Sequence, residues 1–375
     1  MYVESFELQL MHYTEYVAHK QILLYVPPVL LFIGTFGNLF SFCILLKNAK
    51  NASTYSYLSV LAIVDLLVLY SGLFRLWIGQ FMIEIATINN FMCKTVIFIG
   101  YVSSDTSVWL IVAMTIERTI VVTFPLKAHT ICNTRHARVG ILSIIVLFIL
   151  VNCHFLWSVE LKHFTFNDTV ISKCHPTPGY TRLVEDIWPW VDAIIYSFLP
   201  SFLILVLNSL IILNVISARN ARKRLRQQSK LFLRNGNPSH HRQHCEVSKK
   251  ITLMLLAVSF TFLVTTLPMN LVVIYKSVFL IPDNVKTLTQ AKLMNTVAEM
   301  LMYTNHSINF FLYCATGKKF RNQFKAMVCY VCRKKPGSGR SSPTMRLAKV
   351  NQSRTDYMYC EPTTTAINDN RGTHL

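Results

Sequence analysis

Apolar residues in this chain fill long blocks rather than stripes. Seven blocks stand out, at residues 22–46, 57–76, 96–124, 139–159, 188–216, 251–281 and 293–315. A helix on a soluble domain shows one apolar face, whereas a helix that is apolar all round is buried or crosses lipid. Each block has the roughly 20 residues that about 30 Å of hydrocarbon requires at 1.5 Å per residue. Helices are expected, because a lone helix satisfies its own backbone; barrel strands would be about half as long and would alternate in polarity. The pattern predicts an all-α membrane protein: a seven-transmembrane helix bundle over residues 22–316, with a short segment, 1–21, before it.

Past the seventh block the period changes. Phe320, Phe324, Met327 and Val328 recur at helical spacing, with Lys318, Lys319, Arg321 and Lys325 on the remaining face. Residues 317–332 therefore read as a short amphipathic helix lying in the membrane interface. Cys329 and Cys332 at its end are candidate palmitoylation sites, or plain membrane-proximal thiols. Residues 333–375 are rich in Gly, Ser, Thr and Pro and cannot build a core, so a disordered tail is expected. The first 21 residues carry Glu4, Glu7 and Glu15 without the basic start and apolar run of a cleavable signal.

Charge sets the topology. Lys47, Lys50, Lys127, Arg135 and Arg138 follow the first and third blocks, and the loop between the fifth and sixth carries Arg219, Arg222, Lys223, Arg224 and Arg226. The opposite loops hold Glu84, Glu160, Asp168, Glu185, Asp186 and Asp283. By the positive-inside rule the amino terminus lies outside and the carboxyl terminus in the cytoplasm, in a multi-pass plasma-membrane protein. The net charge of +19 is then mostly a topology signal, and nucleic acid is not an expected partner. Of the ten cysteines, only Cys93 and Cys174 fall on the oxidising side, which permits one disulfide. Asn167 begins the sole outward sequon, a candidate glycosylation site.

Polar residues inside the blocks carry the chemistry. Charges are costly in or beside hydrocarbon, so those retained there read as functional. Glu117 and Arg118 end the third block, Asn38 and Asp65 sit within the first and second, and Asn305 and Asn309 lie in the seventh. Arg118 presents five donors that Glu117 can hold as an ion pair, and its release would expose a cationic fork to a cytoplasmic partner. The plain alternative is an anchoring arginine. No paired aspartates or HExxH motif suggest an enzyme, and no internal repeat suggests a transporter or channel.

Gly37-Asn38, Leu61-Ala62-Ile63-Val64-Asp65, Cys93, Glu117-Arg118, Pro200, Phe262, Pro268 and Asn309-Phe310-Phe311-Leu312-Tyr313 follow in order. Together they make residues 25–332 resemble a rhodopsin-like G-protein-coupled receptor. The resemblance implies that Glu117, Arg118, Pro125, Pro200, Phe262, Pro268, Asn309 and Tyr313 serve activation and G-protein coupling. It implies an allosteric sodium ion at Asp65, Ser107, Asn305 and Asn309, the alternative being a neutral, hydrogen-bonded Asp65, and no other cofactor. The expected partners are an extracellular ligand, a heterotrimeric G protein, arrestin, a receptor kinase and membrane lipid. Several positions depart from the family pattern: Thr119, Asn208, Thr265-Thr266 before Pro268, Phe310, and Ser248 where an acidic lock often stands.

The same resemblance places Arg75, Tyr101, Ser104, Asp192, Tyr196, Met269, Asn270, Glu299 and Tyr303 around the ligand cavity. Gly100 lacks the aspartate of amine receptors, and Tyr303 stands where an opsin has lysine. Asp192 and Glu299, with the acidic outer loops, favour a cationic ligand. A short basic or amidated neuropeptide is expected, unless Arg75 takes up Glu299. The INFFLYC run and the NCHFLW run are similar to invertebrate receptors of the FMRFamide-receptor kind. The remaining alternative is a receptor-shaped protein for a non-peptide ligand, or one without transduction.

Overall fold

The computed structural model describes residues 2–50, 52–166, 169–229, 239–278 and 284–333. Its frame is seven long helices: α1 (Thr14–Asn48), α2 (Ser53–Val68), α3 (Asn90–Thr123), α4 (Thr134–Asn152), α5 (Leu199–Ser229), α6 (Ser239–Val278) and α7 (Val285–Thr316). An eighth, α8 (Lys318–Arg333), lies where the amphipathic period placed it. The first six regions are long and apolar enough to cross a membrane. The α7 helix falls outside that set because it carries Glu299, Asn305, His306 and Asn309, of which the last three are buried.

The bundle is polar inside and apolar outside. Phe32, Phe36, Ile63, Leu142, Leu150, Phe202, Leu205, Phe260 and Leu271 are exposed, while Asn38, Asp65, Asp105, Asn152, Asn305, His306 and Asn309 are buried. Water would not tolerate so much outward apolar surface, and lipid does. Between these shells, Leu58, Leu61, Val108, Ile111, Met114, Ile204, Val258, Phe262 and Tyr313 form the principal apolar core.

Asparagines start three of the helices. Asn89 accepts from Met92 N at 2.8 Å, Asn133 from Arg135 N and His136 N at 3.0 and 2.9 Å, and Asn284 from Thr287 N at 2.8 Å. Each such cap satisfies orphan amides and stabilises its helix by about 1 kcal/mol. At the other end of α7, Arg321 donates to the carbonyls of Cys314 and Ala315 at 2.6 and 3.0 Å, turning the chain into α8. The Asn48 and Gln323 amides then pair reciprocally at 3.1 and 3.2 Å, fastening α8 to α1.

The loop after α4 holds two strands: β1 (Val159–Phe166) and β2 (Thr169–Pro176) form an antiparallel hairpin with Leu161 opposite Cys174. Its signal was a two-residue link between runs of β-branched and aromatic residues, weaker than an Asn-Gly turn. The helix α1 begins at Thr14, within the 1–21 segment, and is preceded by a helix, Tyr2–Met11, that packs on it. Leu10 and Tyr16 are buried, Lys20 pairs with Glu7 at 3.0 Å, and Tyr16 donates to Glu7 at 3.1 Å. The Lys20 hydrogen bond holds the Glu7 carboxyl below the usual carboxylate range. His19 meets Thr296 at 2.6 Å, so the outer end of α1 is also tied to α7.

Gly34 lets α1 approach both α2 and α7. A Cβ there would stand 2.5 Å from Leu69 Cδ1 and 3.0 Å from Ser307 Oγ. Gly34→Val should therefore destabilise the bundle by about 1–3 kcal/mol, read as a lower melting temperature in detergent; an unchanged melting curve would refute this packing.

Candidate functional site

Asp65 is fully buried on α2, and three side chains converge on it. Ser107 of α3 donates to Oδ1 at 2.7 Å, His306 Nδ1 of α7 meets the same oxygen at 2.8 Å, and Asn309 donates to Oδ2 at 2.7 Å. Asn38 of α1 adds a further link by donating to the His306 carbonyl at 2.9 Å. Three helices thus meet at one carboxylate, and α1 is tied to α7 beside it. A buried carboxylate needs partners of this kind, since leaving it unpaired costs several kcal/mol.

The convergence differs from expectation at one point. Ser107 and Asn309 arrive as foreseen, but Asn305 makes no hydrogen bond to Asp65 among the described residues. Its neighbour His306 does so instead, and nothing in its lone position within an apolar block had singled it out. The cluster does not fit a bound sodium ion. Hard cations take oxygen ligands, whereas both Asp65 oxygens already face N–H or O–H donors. Asn309 Oδ1 has no partner among the described residues, but a single amide oxygen does not replace those carboxylate contacts.

A second buried carboxylate was also missed. Asp105, 2% exposed, accepts from Asn152 of α4 at 2.8 Å. Further pairs hold α5: Asn208 and Ser259 exchange hydrogen bonds at 2.9 and 3.1 Å, Asn214 donates to Thr123 at 3.0 Å, and Ser197 donates to Asn270. Ahead of Pro200, the stretch Ala193–Phe198 is wound as a π-helix. Proline removes a backbone donor and crowds the preceding turn, and the wider winding accommodates it. In α6, Thr265 and Thr266 turn back onto the carbonyls of Thr261 and Phe262 at 2.9 and 2.7 Å, before Pro268. Such back-bonding bends helices.

At the inner end of α3, Glu117 and Arg118 are both buried, at 8% and 7% exposure. Thr119 donates to its own helix at Thr115 O, 2.9 Å away, and so does not extend the pair outward. Pro125 starts the short helix Pro125–Ile131 of the following loop. Cys132 comes back against α3, its thiol 3.8 Å from Glu117 O. Burial, and next the charge of Glu117, push that thiol up to about 11, which keeps it protonated and unreactive. The side chain of Ser248 lies outside the described residues.

At the outer end, Cys93 and Cys174 are joined, with their Cα atoms 5.7 Å apart, fixing the hairpin to α3. The expected cavity residues divide into groups. Tyr196 lies four residues past Asp192, and its hydroxyl is buried without a hydrogen-bond partner among the described residues. Glu299 accepts from Asn295 at 2.7 Å. Tyr303 packs against Gly72, where a Cβ would meet its ring. Others are engaged elsewhere: Tyr101 stacks on Phe155 at 4.5 Å beneath the hairpin, Asn270 is held by Ser197, and Arg75 pairs with Glu84 at 3.4 Å. Ser104 and Met269 are half-buried on α3 and α6.

Residues 37–313, which contain the Asp65 cluster, the bridge and the buried Arg118, match the family described as 7 transmembrane receptor (rhodopsin family). The chain belongs to that family. A probable G-protein coupled receptor of Caenorhabditis elegans is 23% identical over 80% of this receptor and 68% of its own length. Sex peptide receptor-related protein 2 of Caenorhabditis elegans is 26% identical over 84% and 72%, respectively. Growth hormone secretagogue receptor type 1 of Sus scrofa is 27% identical over 77% and 75%.

Against that family pattern, Phe310 gains a clear role in this receptor. In place of a proline, its ring lies 6.1 Å from Phe40, 5.7 Å from Phe320 and 5.0 Å from Phe324, joining α1, α7 and α8. Gly37 makes room, since a Cβ there would stand 3.0 Å from Phe310 Cβ. Of the modification sites, Cys329 is exposed, whereas Asn167 and the Cys332 side chain lie outside the described residues. Phe310→Ala should cost the receptor about 3–5 kcal/mol, measured as a loss of thermal stability; retention of wild-type stability would show that the aromatic cluster carries little energy.

Proposed function

We propose that this receptor is switched by a short peptide carrying a cationic side chain and passes the signal to a heterotrimeric G protein. Membership of the rhodopsin family supports a receptor that acts by changing shape, with no bond chemistry of its own. The observation that carries the ligand class is the pair of carboxylates Asp192, four residues before Tyr196, and Glu299 on α7. Carboxylates in a low-dielectric cleft select a cation through charge-assisted hydrogen bonds. Arg75 pairs with Glu84 at 3.4 Å, and Glu299 accepts from Asn295 at 2.7 Å.

Two relatives bear names that refer to a sex peptide receptor and to a growth hormone secretagogue, in keeping with a peptide ligand. Neither is named as an FMRFamide receptor. The amino terminus lies outside and the tail in the cytoplasm, as the basic inner loops direct. Release of the buried Arg118 would offer a cationic fork to the G protein. Ser338, Ser341, Ser342, Thr344 and Thr363 to Thr365, outside the described residues, offer phosphate sites to a receptor kinase for arrestin capture. To move the resting population from about 1:99 to 99:1, the peptide must prefer the active shape by about 5.5 kcal/mol.

Amidated arginine-containing peptides should stimulate nucleotide exchange on a G protein reconstituted with the purified receptor. Asp192→Asn and Glu299→Gln should each raise the half-maximal concentration roughly ten- to hundred-fold, as expected for a charged hydrogen bond worth about 1.5–3 kcal/mol. A peptide with citrulline in place of arginine should be weak on wild type and little affected by either change. Equal losses for both peptides would overturn the cationic reading, and binding without exchange would show a receptor that does not transduce.

A further inference from the structure

The Asp65 cluster does more than hold helices together. The family resemblance implies a sodium ion beside this aspartate. Here α7 itself brings a basic ring to the carboxylate. His306 is fully buried, and its Nδ1 lies 2.8 Å from Asp65 Oδ1. Ser107 approaches the same oxygen at 2.7 Å and Asn309 takes the other at 2.7 Å. A carboxylate has about four lone-pair sites. Three are taken by groups anchored on two helices, which leaves one at most for a cation.

The ring has little freedom to leave. Its own backbone carbonyl is held by Asn38 at 2.9 Å, and the next residue, Ser307, packs under Gly34 of α1 while donating to Tyr303 O at 3.0 Å. Swinging the imidazole out would leave a buried carboxylate short of a partner and would press a bulky ring into a close helix–helix contact. A hydroxyl at this position would leave space and an oxygen ligand; the imidazole removes both.

We infer that His306 takes the place of the family's sodium ion, so that the partner of Asp65 is covalently part of α7 and the receptor does not respond to sodium. A sodium-bearing receptor can be loosened or tightened by the ion. In this one the α2–α3–α7 clasp is permanent, and only ligand-driven movement of α7 can open it.

The test is thermal unfolding of the purified full-length receptor in sodium chloride against choline chloride, both at about 0.15 M so that screening is equal. Wild type should show the same melting temperature in both salts. His306→Ser should gain a saturable, sodium-specific rise, because an ion that binds only the folded state stabilises it by mass action. Adding Asp65→Asn to that variant should abolish the gain. A sodium-specific rise in wild type would overturn the inference even if the variant fails to fold. So would a monodisperse, folded His306→Ser receptor that remains blind to sodium, or a gain that survives removal of the Asp65 charge. No agonist is needed, so failure here leaves the peptide reading untouched.

Discussion

The rest of the bundle is organised around a carboxylate that has no water to turn to. Asp65 lies where α2, α3 and α7 meet, and its two oxygens are satisfied only because α3 and α7 present Ser107, His306 and Asn309 at the right heights. A shift of one residue along either helix would rotate these groups away by about 100°. The cost of burying polar groups without partners thus sets helix register more firmly than apolar packing can, since lipid and protein interiors are similarly apolar. The same rule recurs in smaller form at Asp105 and Asn152, and at Asn208 and Ser259.

Close approach is the companion requirement. Hydrogen bonds between helices need backbones near each other, and Gly34, Gly37 and Gly72 supply that nearness where α1, α2 and α7 cross. Phe310 uses the room above Gly37 to gather the rings of α1 and α8. The inner end of α7 is therefore braced by aromatic contacts rather than by a proline-made bend. Departures from regular winding lie elsewhere, in the π-wound segment ahead of Pro200 and in the threonine-bonded turn ahead of Pro268. An outer-side ligand can act on these two helices, which are linked by Ser197 and Asn270 near the outer half and by Asn208 and Ser259 deeper in.

The outer face is built as a rigid rim. The Cys93–Cys174 bridge and the stack of Tyr101, Phe155 and Trp188 hold the hairpin against α3. On the far side, Glu7, Tyr16, His19 and Thr296 fix the amino-terminal helix to α1 and α7.

Much of this was legible in the residues themselves. Long all-round apolar blocks leave a chain no soluble alternative, so the number of crossings, the amphipathic eighth helix and the two cysteines able to meet outside followed from local composition and charge. The depth of Asp65, Ser107 and Asn309 could be read by counting along helices. Other features are properties of neighbours brought together from distant sequence. His306, one position beyond the expected Asn305, reaches Asp65 because of how α7 is rotated against α2, and no periodicity in α7 alone reveals that rotation. Tyr101, Arg75 and Asn270 were assigned to the ligand by position along their helices, yet Phe155, Glu84 and Ser197 engage them across loops and helices whose meeting only packing decides. Sequence by itself determined what must be buried, because transfer free energy belongs to the residue. Tertiary structure alone decided which buried groups became partners, because a hydrogen bond depends on fractions of an ångström between helices.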